Sequence, residues 1–204
     1  SKGLSSLKII GGNAIFYHLQ LATDLYSLQK INGDAMFYAL TTAKGLNSLQ
    51  SVGETARFYH LEIAEDLTAL ENIGMDAEFP MLTTAKGLYS LKNIGGYAEF
   101  PNLITSEGLN SLQHIGGGAN FKSLTSAEGL SSLQYIGELA DFRSLNTARG
   151  LNFLQTVISD LYFNNLMDAS DLTSLQDISN IIVSPYVDLK QIVENNQRKS
   201  TYHH

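Results

Sequence analysis

Apolar and polar positions in this chain repeat with a fixed long period of 21 residues. One stretch, residues 87–107, shows the whole unit: GLYSLKNIGGYAEFPNLITSE. Units begin at Gly3, Asp24, Gly45, Asp66, Gly87, Gly108, Gly129, Gly150 and Asp171, and no insertion or deletion breaks the first eight. Counting that first residue as position 0, Leu stands at positions 1 and 4, and Ile or Val at 7. Gly is usual at 8 or 9, Ala at 11, Phe at 13, Leu at 16 and Ala or Ser at 19. A short fixed period of this kind marks a stacked-repeat architecture and takes precedence over local propensity.

Within one unit, Ala98 and Phe100 alternate with Tyr97, Glu99 and Pro101. That period of two predicts a short strand near positions 10–14 with Ala and Phe pointing inward. Gly95 and Gly96 supply the tight turn into it. Leu103, Ser106, Leu109 and Leu112 then follow at spacing three, extended by Ile115, which predicts 3₁₀ or short helical turns on the return. Thr84, Thr105, Ser126 and Thr147 stand where a hydroxyl could cap such a helix. One unit cannot bury its own apolar side, whereas stacked units bury a continuous column of Leu, Ile and Phe.

The stretches Ile31-Asn32-Gly33-Asp34-Ala35-Met36-Phe37 and Ile73-Gly74-Met75-Asp76-Ala77-Glu78-Phe79, each followed by Leu at spacing three, carry a family likeness. The chain resembles the leucine-rich repeats, and more closely the receptor L-domain type of solenoid. It departs from them in lacking an Asn ladder after the strand, in using Ala where Leu is usual, and in having no cysteine caps. The resemblance implies an α/β solenoid: a right-handed leucine-rich-repeat-like stack with one parallel β-sheet and short helical or 3₁₀ turns on the opposite side. It also implies a binding scaffold of the kind found in bacterial surface or secreted proteins, with no particular ligand.

Residues 1–184 read as the solenoid and 185–204 as a C-terminal capping helix (185–196) with a polar tail. Units one and three answer each other in Phe16-Tyr17-His18-Leu19 and Phe58-Tyr59-His60-Leu61. Units two and four share Leu-Thr-Thr-Ala-Lys-Gly-Leu, as a duplication of two units would leave them. The pattern decays in unit eight, where Val157-Ile158-Ser159 replaces the glycine turn and Leu161 the alanine. In unit nine Ser184 takes the place of Phe, with Pro185 next. Pro185 suits the first turn of a helix that Tyr186, Leu189, Ile192 and Val193 continue at helical spacing. At the other end Ser1-Lys2 runs straight into a repeat, so a further domain or cap is expected upstream.

The 204 residues suit one domain. Only 16% are charged, against about 25% in an average soluble domain. A net charge of −7 disfavours nucleic acid and anionic membrane as partners. No apolar run approaches the roughly 20 residues of a membrane span. There is no cysteine and no Asn-x-Ser/Thr sequon, which leans the reading toward a bacterial protein.

The outward strand positions are those the repeat leaves free. Position 14 runs Tyr17, Tyr38, Tyr59, Pro80, Pro101, Lys122, Arg143, and position 12 runs Ile15, Met36, Arg57, Glu78, Glu99, Asn120, Asp141. The Tyr17–Tyr38–Tyr59 ladder, flanked by Met36, Arg57, His18 and His60, is the binding candidate, because tyrosine combines a flat apolar ring with a polar tip. Its structural alternative is a ladder that only braces neighbouring strands. Glu78 and Glu99, on adjacent strands, could form a carboxylate pair for sugar chemistry or a cation, or simply a solvated face. His18 and His60 lie two units apart with Ala39 between, which leaves no metal set, and no cofactor motif is present. The expectation is a non-enzymatic module, extracellular or at a cell surface, that recognises a protein through its strand face. A spacer and a carbohydrate-binding solenoid are the alternatives.

Overall fold

The computed structural model describes residues 3–183 and 187–201. It is a solenoid of parallel strands with one 21-residue unit per turn. Two rows of short strands run its length. The first holds position 7, from Ile9–Ile10 through Lys30–Ile31 and Asn93–Ile94 to Tyr135–Ile136. The second holds positions 11 to 13, from Ala14–Phe16 through Ala35–Phe37 and Ala98–Glu99 to Ala140–Asp141. All pairings are parallel and displaced by one unit, as in Ile31↔Val52 and Ala98↔Ala119. Isolated parallel bridges at position 18 (Thr42↔Ile63, Thr84↔Thr105, Thr105↔Ser126, Thr147↔Asp168) add a third line of pairing.

All described strands belong to one parallel sheet, its two rows joined at Thr156–Phe163, but the helical turns expected behind it are few. Where helical turns were expected, only Thr23–Leu25 and Glu128–Leu130 are 3₁₀ helix among the described residues. Elsewhere the Leu-spaced stretch is a succession of tight turns. The N–H of Leu88 donates to the Ala85 carbonyl at 3.0 Å and that of Leu91 to the Leu88 carbonyl at 3.0 Å, and the same pair recurs along the stack. The next amide breaks the series, because Lys92 N–H donates to Glu71 of the preceding turn at 2.8 Å. The chain thus leaves the turns for a second strand row. Thr84 and Thr105 likewise pair through their backbone in the bridge line, and neither 3₁₀ segment has a side-chain cap.

Inside, the columns are continuous. Phe37, Phe58, Phe79, Phe100, Phe121, Phe142 and Phe163 are fully buried. Phe rings of successive turns stack with centroids 4.9 to 5.6 Å apart, beginning with Phe16 on Phe37 at 5.0 Å. Leu at positions 1, 4 and 16 and Ala at 11 and 19 fill the space around them. Ser106 replaces Ala in the last of these columns, and its hydroxyl accepts from Gly129 N–H at 2.9 Å while donating to the Ser126 carbonyl at 3.1 Å.

Glycine at position 8 has a steric cause. A Cβ on Gly53, Gly74, Gly95, Gly116 or Gly137 would land on the carbonyl oxygen of the residue one turn before it. The strand row ends just before this place, and glycine there keeps a side chain out of the close approach of turns; in unit two Asn32 takes the position and still donates its N–H to Ile10 at 2.9 Å.

In unit eight this restraint is gone. With Val157-Ile158-Ser159 in place of the glycine turn, the two rows fuse into one strand, Thr156–Phe163. It pairs with Asp177–Val183 through a register shift between Val157 and Asp160. The helix α1, Leu189–Thr201, lies against this end. It runs on past Asn196, so residues 197–201 are helical where a polar tail was expected. Gln191 N–H is capped by the Asp188 carboxylate at 3.1 Å, and Gln191 and Asn195 pair along the helix at 3.1 Å. Ser184, Pro185 and Tyr186, which carry the expected helix start and the lost Phe, lie outside the described residues, as do Ser1, Lys2 and residues 202–204. No described helix is long and apolar enough to cross a membrane.

α1 closes the stack by imitation. The buried Asn196 amide donates to the Leu172 and Leu175 carbonyls at 2.8 and 3.1 Å, and the Gln197 amide to the Gln176 carbonyl at 2.8 Å. In interior turns the carbonyl at position 5 receives the backbone N–H of the residue 21 further on, as Gln155 receives Gln176 at 2.9 Å. Gln197 stands 21 residues after Gln176, and its side chain supplies the donor that a next turn would supply from its backbone.

Candidate functional site

The outward face of the second strand row holds the site residues. Ala at 11 and Phe at 13 point inward, so 12 points out, and 14 follows where the chain leaves the strand. Tyr17, Tyr38 and Tyr59 are stacked face to face, with centroids 4.9 Å and 4.5 Å apart. Tyr17 is 61% exposed, while Tyr38 and Tyr59 are half-buried. Because the rings lie on one another, Tyr38 in the middle offers solvent its edge and hydroxyl and keeps both flat faces for Tyr17 and Tyr59.

Met36 and Arg57 stand beside the ladder. The Tyr38 hydroxyl points at the Met36 sulfur, 3.9 Å away. The Arg57 guanidinium lies 5.9 Å from the Tyr59 ring centre and grips the Glu78 carboxylate with two N–H groups. That carboxylate, against a smaller effect of burial, holds Arg57 above the ordinary arginine range. The Tyr38 phenol is also pushed up, chiefly by the adjoining Tyr59 hydroxyl. His18 and His60 are exposed beyond the ladder; His18 is tilted against Tyr17 at 6.5 Å.

Glu78 and Glu99 are register partners on adjacent strands. Their carboxylates turn to opposite sides, Glu78 to Arg57 of the turn before and Glu99 to the Asn120 amide of the turn after, at 2.8 Å. The arrangement gives each acid its own partner and no shared ligand. Among the described residues no three His, Cys, Asp or Glu side chains are placed to hold a metal ion.

Further along the face, Gly118 leaves a gap between Tyr97 and Leu139 at position 10. Tyr97 bridges it by donating its hydroxyl to Glu138, which raises the Tyr97 phenol above the ordinary tyrosine range. Beneath lies a cleft of about 330 Å³ lined by Glu99, Asn120 and the buried Asp141, the last held by Arg143. The structure thus assembles Tyr17, Tyr38, Tyr59, Met36, Arg57 and Glu78 into one connected surface, and leaves Glu99 with this separate cleft.

Sequence reasoning passed over a device at position 10. Asn13, Asp34 and Asp76 each accept the backbone N–H of the same position one turn later: Asp34 at 3.0 Å, Thr55 at 3.1 Å and Tyr97 at 2.8 Å. The signal was available, since Asn or Asp recurs there in a unit otherwise short of charge. Charge ladders along other columns, Lys86–Glu107 at 3.5 Å, Arg149–Glu128 at 3.2 Å and Lys92–Glu71 at 3.1 Å, are surface pairs between successive turns.

Fold and face together define a parallel β-solenoid with 21-residue turns and a decorated strand face. Set against known proteins, the chain matches no protein family, no curated protein and no solved structure.

Proposed function

We propose that this solenoid is a non-enzymatic recognition module that binds a protein partner through the strand face of its first three turns, with the tyrosine ladder as anchor. One observation carries the reading. The exposed side chains Ile15 and Tyr17 gather with Tyr38, Met36 and Tyr59 at one end of the face, while position 12 further on carries the paired Glu78, Glu99, Asn120 and Asp141 and position 14 turns to proline and then to Lys122 and Arg143. Large side chains of this kind, grouped and rimmed by polar residues, suit a protein contact. The edge-on presentation of Tyr38 supports a protein over a sugar, since a pyranose stacks on a free ring face and this middle tyrosine has none to offer. A bacterial surface or secreted setting, and kinship with leucine-rich repeats, belong to the same proposal. The Leu columns at positions 1, 4 and 16 favour the kinship, and the second strand row sets this chain apart from it.

The spacer reading has its own support, because 4.5 and 4.9 Å ring stacking braces adjacent turns without any partner. A pull-down from the native surroundings decides between them, comparing the wild-type chain with the Tyr17/Tyr38/Tyr59→Ser variant. A protein held by wild type and lost by the variant, at unchanged circular dichroism, is the expected result. Identical profiles would remove the ladder from consideration and favour the spacer.

A further inference from the structure

The tyrosine ladder has its complement on the same face. Position 14 carries Tyr17, Tyr38 and Tyr59 in turns one to three, Pro80 and Pro101 in turns four and five, and Lys122 and Arg143 in turns six and seven. The stacked phenols leave edge and hydroxyl for a partner, and a hydroxyl oxygen accepts from an ammonium or a guanidinium. Lys122 is exposed, and its ammonium makes no bond among the described residues. Arg143 holds Asp141 through Nε and one terminal nitrogen, and its side chain stays 53% exposed. Midway between the two ends, next to Pro80, the apolar Met81 is exposed as well.

We infer that this face docks on a second copy of itself, with the two solenoids antiparallel and the two-fold axis lying along the fourth-turn strand, Ala77–Glu78. The inference rests on the recognition reading above and names its partner. The rotation keeps each position and reverses the order of turns. Tyr17 then faces Arg143 of the other copy, Tyr38 faces Lys122 and Tyr59 faces Pro101, while Pro80 and Met81 meet their own counterparts. At position 12 Arg57 faces Glu99, and Glu78 meets Glu78 with each carboxylate already held by Arg57 of its own chain. The two halves of the contact are identical, as an isologous dimer requires. Both copies have the same axial repeat, so a match made at one turn is kept at the next. The parallel arrangement is disfavoured by charge, since it sets Lys122 on Lys122 and Arg143 on Arg143. Turns one to seven at the spacing of paired strands give each copy a face of about 30 by 15 Å. Two such faces bury about 900 Å², the low end for a specific contact, which suits a weak and concentration-dependent dimer.

The chain has no cysteine, so single cysteines report the docking directly. Met81→Cys should link to itself under mild oxidation. Tyr38→Cys and Lys122→Cys should each stay unlinked alone and link to one another when mixed. Tyr89→Cys, exposed at position 2 away from the face, should not link. Sedimentation of the unaltered chain should show a dimer that grows with concentration up to about 100 μM, and Met81→Glu, which opposes two like charges on the axis, should raise its dissociation constant about tenfold or more. Tyr38→Cys linking to itself, or Met81→Glu without effect, overturns the antiparallel docking. A dimer untouched by the Tyr17/Tyr38/Tyr59→Ser variant overturns it too, because the ladder then takes no part. A chain that is monomeric at that concentration yet captures a different protein through the three tyrosines overturns this inference and leaves the recognition reading standing. A monomer that captures nothing takes both down.

Discussion

At the first turn Ile10, Phe16 and Leu19 lie half-covered, and Gly3, Gly11 and Gly12 have no neighbour where a Cβ would stand. At the last turns the same apolar columns run under α1, where Val193 is buried and Ile192 and Val187 pack against the core. The chain reaches these two outcomes by different means. Toward the C-terminus it abandons its own rule, giving up the glycine turn, fusing two strands into one and ending on a helix. At the N-terminus it keeps the rule intact. The loss of the glycine turn is the sequence change that goes with the fused strand and the closing helix.

The contrast can be broken most severely in the middle. Phe100→Ala empties a fully buried site between two stacked rings and should cost about 3–5 kcal/mol, whereas Phe16→Ala, with one ring partner, should cost clearly less; denaturant titration of both measures the difference. Next comes the close approach of turns. Gly74→Ala should cost on the order of 3 kcal/mol because its methyl meets the Gly53 carbonyl, while Gly11→Ala should change stability by less than about 0.5 kcal/mol.

The capped end is tested more gently by Asn196→Leu. It keeps bulk but removes the donor to two carbonyls, and about 1–3 kcal/mol should be lost, with faster exchange in α1 than in the first turns. The smallest effect concerns acid. Asp168, in the last bridge, accepts the Ser170 N–H at 2.9 Å, and this bond holds its carboxyl below the ordinary aspartate range. A depressed folded pKa means that its contribution to stability is present above the unfolded aspartate value and is lost as pH falls through the folded one. Carboxyl NMR should find Asp168 titrating below a typical aspartate, and Asp168→Asn should flatten the acid limb of stability at this end.

Much of the fold was legible because the period itself carries it. Ala98 and Phe100 announce an inward strand face, and the spacing of Leu109 and Leu112 announces i→i+3 turns, which the backbone makes. The second strand row was not legible from one unit. Ile94 looks like one more member of the Leu series, and only pairing with Ile73 and Ile115, one turn away on each side, makes it a strand. The same reason hid the partners of Glu78 and Glu99. The column shows both acids side by side, but not that Arg57 and Asn120 draw their carboxylates apart. The tyrosine ladder was readable, since position 14 follows directly from the period. Its edge-on presentation depends on ring stacking, which spacing does not encode.

Strict 21-residue register has a last consequence, in the arithmetic of length. Each turn advances the stack by the spacing of paired strands, about 4.8 Å, and the strand pairs between interior turns join equivalent positions. Whole units can therefore be lost or gained in multiples of 21 residues without disturbing what remains, while a deletion of any other size misaligns every column beyond it. The molecule behaves as a graduated ruler. The distance between its tyrosine-bearing turns and its closed end is set by counting, and a gene that duplicates or drops one unit resets that distance by one graduation.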